Sequence, residues 1–353
     1  MKLRQTLLVF AVLIVSSFTF LVVQVVQSRR SLPSPTPLQQ NSCLGPEQQD
    51  FIGHTSEVFS VAFSPDGKYV LTGSNDWTTR LWDARNGQSV QIFVGHTGGV
   101  TSVAFSSDGR YILTGSIDKT ARIWDAQTGQ VQRTFIGHTF VIFAVAFSPD
   151  GRYVLTGSGD KMAWLWDAQT GKVLQTFIGH TLTVTSVAFS PDGKYVLTGS
   201  RDMTARLWDA RTGQALKTFA GHLQAVTSVA FSPDGKYVLT GSWDKSAMLW
   251  EVRTGQIVRI FKGHSDAVTS VAFSRDGKSI LTGSDDMTAR VWDAQTGLTI
   301  QTFPSPANPV WSVAFSPDGR NVLIGYRDDK ARLWDVGKAL IACMPSQAAP
   351  PRG

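Results

Sequence analysis

The sequence predicts an all-β molecule made of seven small four-stranded antiparallel sheets arranged radially, and three observations predict it. The histidines fall at His54, His96, His138, His180, His222 and His264, a fixed spacing of 42 residues. Trp82, Trp124, Trp166, Trp208, Trp250, Trp292 and Trp334 keep the same spacing and mark a seventh copy. Inside each period, short runs rich in β-branched residues alternate with turns, and no helical period occurs. A unit this short cannot bury its own apolar face, so the copies must stack. Regular turn signals favour antiparallel sheets, and radial repetition leaves only short, protected edges.

Ahead of the repeats, Met1-Lys2-Leu3-Arg4 is a basic start, and residues 7–26 run without a charge. Twenty such residues, at about 1.5 Å each, reach across a ~30 Å hydrocarbon core. Residues 1–28 are therefore read as a retained transmembrane anchor or uncleaved signal. Cleavage near Val26 and Ser28, with secretion, is the alternative, although a signal's apolar region is usually only about 7–15 residues. The amino terminus, Lys2 and Arg4 outweigh Arg29 and Arg30 by one charge, and the more positive flank stays cytoplasmic. The expectation is a single-pass membrane protein with its repeats outside the cytoplasm; a cytoplasm-facing array is the other orientation. Residues 29–47 read as a linker, since the alternating prolines of SLPSPTPLQQ favour an extended spacer. The array is expected over 48–344, with 345–353 a disordered tail.

The fourth copy shows how a repeat is built. Val184–Phe189 is an apolar, β-branched run. In Ser190-Pro191-Asp192-Gly193 the proline presets φ and the glycine supplies a positive φ, which makes a turn. Tyr195–Ser200 is the second strand, Arg201-Asp202-Met203 a tight turn and 205–208 the third strand. Residues 209–213 turn again, and 215–219 complete the unit.

These repeats resemble the WD-repeat (WD40) family of β-propellers: Gly-His opens six of seven copies and Trp-Asp closes six, Trp250 being followed by Glu251. The resemblance covers 51–335. It implies that the sequence repeat is out of step with the blade, so that residues 49–52 supply the outer strand of the seventh blade. Residues 338–344 (KALIACM) also read as an outer strand, which makes eight candidates for seven places. The QxFxGH pattern favours closure by the amino-terminal copy. Cys43 and Cys343, the two cysteines, would then lie near the seam, either disulfide-linked or as two separate thiols.

Each good repeat carries a His, a Thr, an Asp and a Trp at matched spacing. They are His54, Thr72, Asp76, Trp82; His96, Thr114, Asp118, Trp124; His138, Thr156, Asp160, Trp166; His180, Thr198, Asp202, Trp208; His222, Thr240, Asp244, Trp250; and His264, Thr282, Asp286, Trp292. A hydroxyl, an imidazole and a carboxylate invite a catalytic reading. Multiplicity argues against it, because a catalytic triad is needed once and a structural network in every blade. The resemblance implies a buried chain from Trp to hydroxyl to His to Asp. No catalytic residue is therefore expected. The seventh copy departs, with Pro306 at the His position and Ile324 at the Thr position, so that blade is expected to be locally weaker.

Composition excludes other chemistries. A net charge of +6, spread over alternating signs, lacks the clustering of a nucleic-acid footprint. Histidines 42 residues apart, without cysteine or carboxylate clustering, give no metal-ligand spacing. There is no phosphate-binding glycine loop, and no cofactor is expected.

What differs between copies is then the candidate binding surface. On the family topology, the Gly-His loops and the turns between second and third strands open on one face around a central channel. Phe59, Trp77, Phe140, Phe143, Arg201, Trp243, Trp311 and Arg327 stand out there as aromatic or arginine variants, the types that anchor interfaces. Packing of some of them in the channel is the structural alternative. Trp164, Met162 and Met248 also depart from the consensus, but on a strand, where edge packing explains them. The functional expectation is a membrane-tethered, non-catalytic platform for protein partners. A channel-based enzyme or ligand binder and a cell-envelope assembly factor are the rivals.

Overall fold

Alternation along each strand decides how the blades are layered. In the computed structural model, which describes residues 47–305 and 308–337, the chain forms 28 strands in seven four-stranded sheets. Blades 1 to 6 span 58–93, 100–136, 142–178, 184–220, 226–262 and 268–304. Within blade 4, the innermost strand Val184–Phe189 buries Val184 and Val187 and leaves the other four residues half-buried, and Tyr195–Ser200 is buried almost throughout. The third strand, Thr204–Asp209, is longer than its apolar run because Thr204 and Asp209 join the ladder. The outer strand Ala215–Ala220 buries only Phe219 fully. Burial therefore peaks at the second strand and falls from there to the rim.

The core lies between blades. Leu197, Ala205, Leu207 and Phe219 of blade 4 pack against Val226, Val229, Val238 and Trp250 of blade 5. Each fully buried large side chain contributes on the order of 1.5–3 kcal/mol. Close approach needs a missing side chain: a Cβ on Gly199 would sit 2.8 Å from Val229 Cγ1. Glycine at this point lets neighbouring blades mesh.

The seventh blade is closed by the amino end. Glu47–Ile52 pairs antiparallel with Lys330–Asp335, with Asp50 opposite Arg332 and Ile52 opposite Lys330. Phe51 is fully buried in a cluster with Val58, Val61, Val70 and Trp82 of blade 1, so the seam is packed like the other junctions. This is the closure that the QxFxGH pattern favours. The competing segment 338–344 lies outside the described residues, as do the expected anchor, most of the linker, the tail, Pro306, Cys43 and Cys343. Among the described residues, no helix is long and apolar enough to cross a membrane.

Two ends of the disc can be told apart. The outer strand of one blade runs into the Gly-His loop of the next, and each His is hydrogen-bonded to the Asp of its blade's second-to-third-strand turn. Both therefore belong to one end, called here the upper face. The Ser-Pro-Asp-Gly turns occupy the opposite end, where Ser190 Oγ donates to Asp192 Oδ1 at 2.6 Å and Gly193 has φ +70. On the upper face, Trp77, Lys119, Lys161, Met203, Lys245 and Met287 all sit in the left-handed region, φ 65 to 73.

Candidate functional site

The His-Thr-Asp-Trp sets assemble in all six blades that carry them. In blade 4, Trp208 Nε1 donates to Thr198 Oγ1 at 2.9 Å, and His180 Nε2 lies 2.7 Å from that hydroxyl. His180 Nδ1 is 2.7 Å from Asp202 Oδ2. A carboxylate only accepts, so Nδ1 carries a proton; Nε2 then accepts from the threonine O–H. One proton set satisfies the whole chain. The same bonds recur at His54, His96, His138, His222 and His264 with His–Thr distances of 2.7 Å. The imidazoles are at most 1% exposed and the threonines fully buried, so no substrate reaches the hydroxyl.

The carboxylates are tuned by the same contacts. Burial pushes the pKa of Asp76, Asp118, Asp202, Asp244 and Asp286 up, but hydrogen bonds from the paired His and from Thr78, Thr120, Thr204, Ser246 and Thr288 outweigh it. All five end well below the usual carboxylate range. Asp160 is lowered too, with burial opposing and His138 favouring the charged form; Met162 supplies a backbone N–H but no hydroxyl.

Blade 7, where the pattern departs, holds its tryptophan by another bond. Ile324 fills the Thr position, yet Trp334 Nε1 donates to the Tyr326 hydroxyl at 3.1 Å. Tyr326 is fully buried, with the Arg332 guanidinium 4.6 Å above its ring. Asp328 accepts from Asn308 Nδ2 and from Arg332 Nη2. The missing signal was in plain view: Tyr326 stands where the other copies have a serine.

The upper-face variants separate into two groups. Trp77, Phe140 and Trp243 are 55%, 53% and 42% exposed, and Arg201 and Arg327 are exposed as well. Phe59, Phe143 and Trp311 are instead half-buried, which fits the packing alternative for these three candidates. Phe59 meets Trp311 edge-on at 5.4 Å across the blade 7–1 junction. Arg327 lies 5.7 Å from the Trp311 ring and its Nε donates to Glu57 Oε1 at 3.2 Å. Arg201 lies between two rings, 5.7 Å from Phe143 and 5.4 Å from Trp243. Leu223, 81% exposed where the other five copies that open with Gly-His carry Thr or Ser, belongs to this face and is not among the sequence candidates.

The half-buried positions have a structural reason. Thr185 and Thr227 occupy the site equivalent to Phe59, Phe143 and Trp311, and each donates its hydroxyl to a carbonyl of the next blade's inner strand, Val226 O and Val268 O, both at 2.6 Å. Thr101 and Thr269 do the same to Ile142 O and Val310 O. An aromatic residue there removes one tie between blades. Trp164 fits the edge-packing reading: its ring lies 4.4 Å from His138 and 5.2 Å from Trp166.

Nothing in this arrangement resembles a unique reactive centre. Among the described residues no group of three His, Cys, Asp or Glu side chains could hold a metal. A cavity of about 700 Å³ opens on the lower face at the seam, lined by Gln49, Asp66, Arg85, Arg275, Ser316 and Asp318; the Ser316 hydroxyl donates to Asp318 Oδ1 at 2.6 Å, the same turn bond that Ser190 makes to Asp192.

Seven four-stranded blades, six of them holding a buried Trp-Thr-His-Asp chain, define a WD-repeat propeller. The family described as "IFT122 first beta-propeller" matches residues 141–335, and that described as "WD domain, G-beta repeat" matches 45–83 and 87–125. The chain belongs to the WD40-repeat β-propeller family. It is similar to Nuclear distribution protein PAC1 of Scheffersomyces stipitis, 40% identical over 53 residues, which is 15% of this chain and 10% of that protein. It is also similar to Transcriptional repressor rco-1 of Neurospora crassa, 39% identical over 60 residues, 17% of this chain and 9% of that protein. Ribosome biogenesis protein BOP1 homolog of Drosophila melanogaster is 37% identical over 60 residues, 17% of this chain and 7% of its own length. The matched part thus spans a tenth or less of each of these relatives.

Proposed function

We propose that this chain is a non-catalytic platform that docks protein partners on its upper face. The observation that carries this reading is a division of labour among side chains. The groups able to do chemistry are locked in repeated buried chains, while exposed Trp77, Phe140, Arg201, Trp243 and Arg327 collect on one face. Grouped aromatic and arginine side chains mark interaction sites more than scattered ones do. The names of the similar proteins point to nuclear distribution, transcriptional repression and ribosome biogenesis. Such a range fits a repeat that serves as a carrier of varied surfaces, since fold alone does not set function.

The platform is tethered to a membrane through residues 1–28, with the propeller outside the cytoplasm. Charge and hydropathy of that segment support this part.

Photo-crosslinking amino acids placed at Trp77 and Phe140, with Arg85 on the lower face as control, test the platform in intact cells. Crosslinked protein partners are expected from the two upper positions. Crosslinks from Arg85 alone would overturn the reading. Protease digestion of the propeller in intact cells, compared with digestion after permeabilisation, reports the side of the membrane: cleavage in intact cells is expected, and cleavage only after permeabilisation would overturn the orientation.

A further inference from the structure

We propose that Arg201 is a carboxylate anchor for an acidic peptide segment of a protein partner, laid across blades 3 to 5. The proposal rests on the platform reading and names the partner chemistry of part of that face. Arg201 belongs to the turn after Tyr195–Ser200, with its backbone N–H donating to Thr183 O at 2.9 Å. Its guanidinium bridges three blades, stacked near Phe143 of blade 3 and Trp243 of blade 5. Stacking occupies the faces of a guanidinium and leaves the N–H donors at its edge.

Those donors have no anion. Among the described residues Arg201 enters no ion pair and no side-chain hydrogen bond, whereas Arg327, the equivalent residue of blade 7, is held by Glu57 at 3.2 Å. An exposed cation fixed between two rings and left without a counter-charge is complementary to a carboxylate, which it can bind through two parallel bonds.

The ring also gives up cohesion at this place. Ser60, Ser102, Ser186, Ser228, Ser270 and Ser312 each accept a backbone N–H from the next blade. Blade 3 has Ala144 at that position and Phe143 at the threonine position beside it. The junction between blades 3 and 4 is thus the one that loses both ties, and the residue that displaces one of them is the ring that holds Arg201. A local rule broken without structural gain points to function.

The surroundings suit a peptide with apolar flanks. Phe140, Leu182 and Leu223, on the Gly-His loops of blades 3, 4 and 5, are 53%, 48% and 81% exposed. Blade 6 carries Asp266 and Asp285 on the same face. Their charge repels an acidic chain and confines it to blades 3 to 5.

The test uses the full chain in detergent micelles and fluorescein-labelled peptides in which Glu alternates with Leu, beside the same peptides with Gln for Glu. Saturable anisotropy changes are expected for the acidic set, with affinity about tenfold or more above the Gln set. Arg201→Gln should bring the acidic set down to the Gln level with an unchanged melting temperature, while Arg211→Gln on the lower face of the same blade leaves binding intact. Equal behaviour of the two peptide sets, whether both bind or neither does, would overturn the proposal. So would acidic binding that survives Arg201→Gln. Either result leaves the platform standing if the crosslinks from Trp77 and Phe140 remain, so the two readings fail separately.

Discussion

At the scale of single residues, the hydroxyl at the centre of each buried chain matters more than its size suggests. Thr198 accepts from Trp208 and lies against His180 Nε2, so Thr198→Val leaves two buried polar groups without a partner. A cost of about 1–3 kcal/mol per orphaned group is expected, read as a lower denaturation midpoint at constant slope. The paired aspartates give a pH signature. Their folded-state pKa values are depressed, so their stabilisation is fully present above the unfolded carboxylate value of about 3.9. It is lost as the pH falls further, through the lower folded values. Melting temperature should therefore hold down to roughly pH 4–5 and then drop steeply, the sets titrating together. Asp285 has the opposite sign. Burial, then the charge of Asp266, raises its pKa, so the ionised form costs stability at neutral pH. Asp285→Asn should raise the melting temperature at pH 7, and the gain should vanish at acid pH, where wild-type Asp285 is protonated.

At the scale of strands and blades, cohesion around the ring is uneven. Inner strands are tied forward by a serine that accepts a backbone N–H and a threonine that donates to a backbone C=O. Blade 3 offers neither to Val184–Phe189 of blade 4. Hydrogen-exchange mass spectrometry should find the inner strand of blade 4 exchanging faster than those of blades 5 and 6. Ala144→Ser should slow it, because Val187 then gains the acceptor that Val229 has in Ser186. Equal protection in all blades would count against this view. These ties were not legible in the sequence. They join residues 41 or 43 positions apart, so a serine and a threonine that hold neighbouring blades look like ordinary members of a strand. For the same reason the sequence left open whether Phe59, Phe143 and Trp311 face a partner or pack, although they replace a tying threonine. Alternation of apolar residues, by contrast, carries strand position directly, and the strands fall where their apolar runs lie. Tyr326 escaped notice because its hydroxyl reaches Trp334 from the serine position, two residues beyond Ile324.

At the scale of the whole molecule, the ring is closed by a strand from the opposite end of the chain. Phe51 is fully buried at that seam, and Asp50 faces Arg332 at 3.6 Å. Removing residues 1–46 should leave the melting temperature of the propeller unchanged, whereas removing 1–52 should lower it sharply and expose blade 7 to proteases. The closure was readable from one short pattern shared by residues 49–52 and their siblings. The exposed upper-face set was readable only in outline, because sequence shows which positions vary but not which side chains reach solvent.

The claim on which the account depends is that the imidazoles belong to the fold, leaving function to the residues that differ between blades. Nitrogen-15 spectroscopy of selectively labelled histidine tests it most directly. Six slowly exchanging Nδ1–H protons, all in one tautomer, are the predicted result. An imidazole whose N–H exchanges freely with solvent, or that changes tautomer from blade to blade, would contradict it.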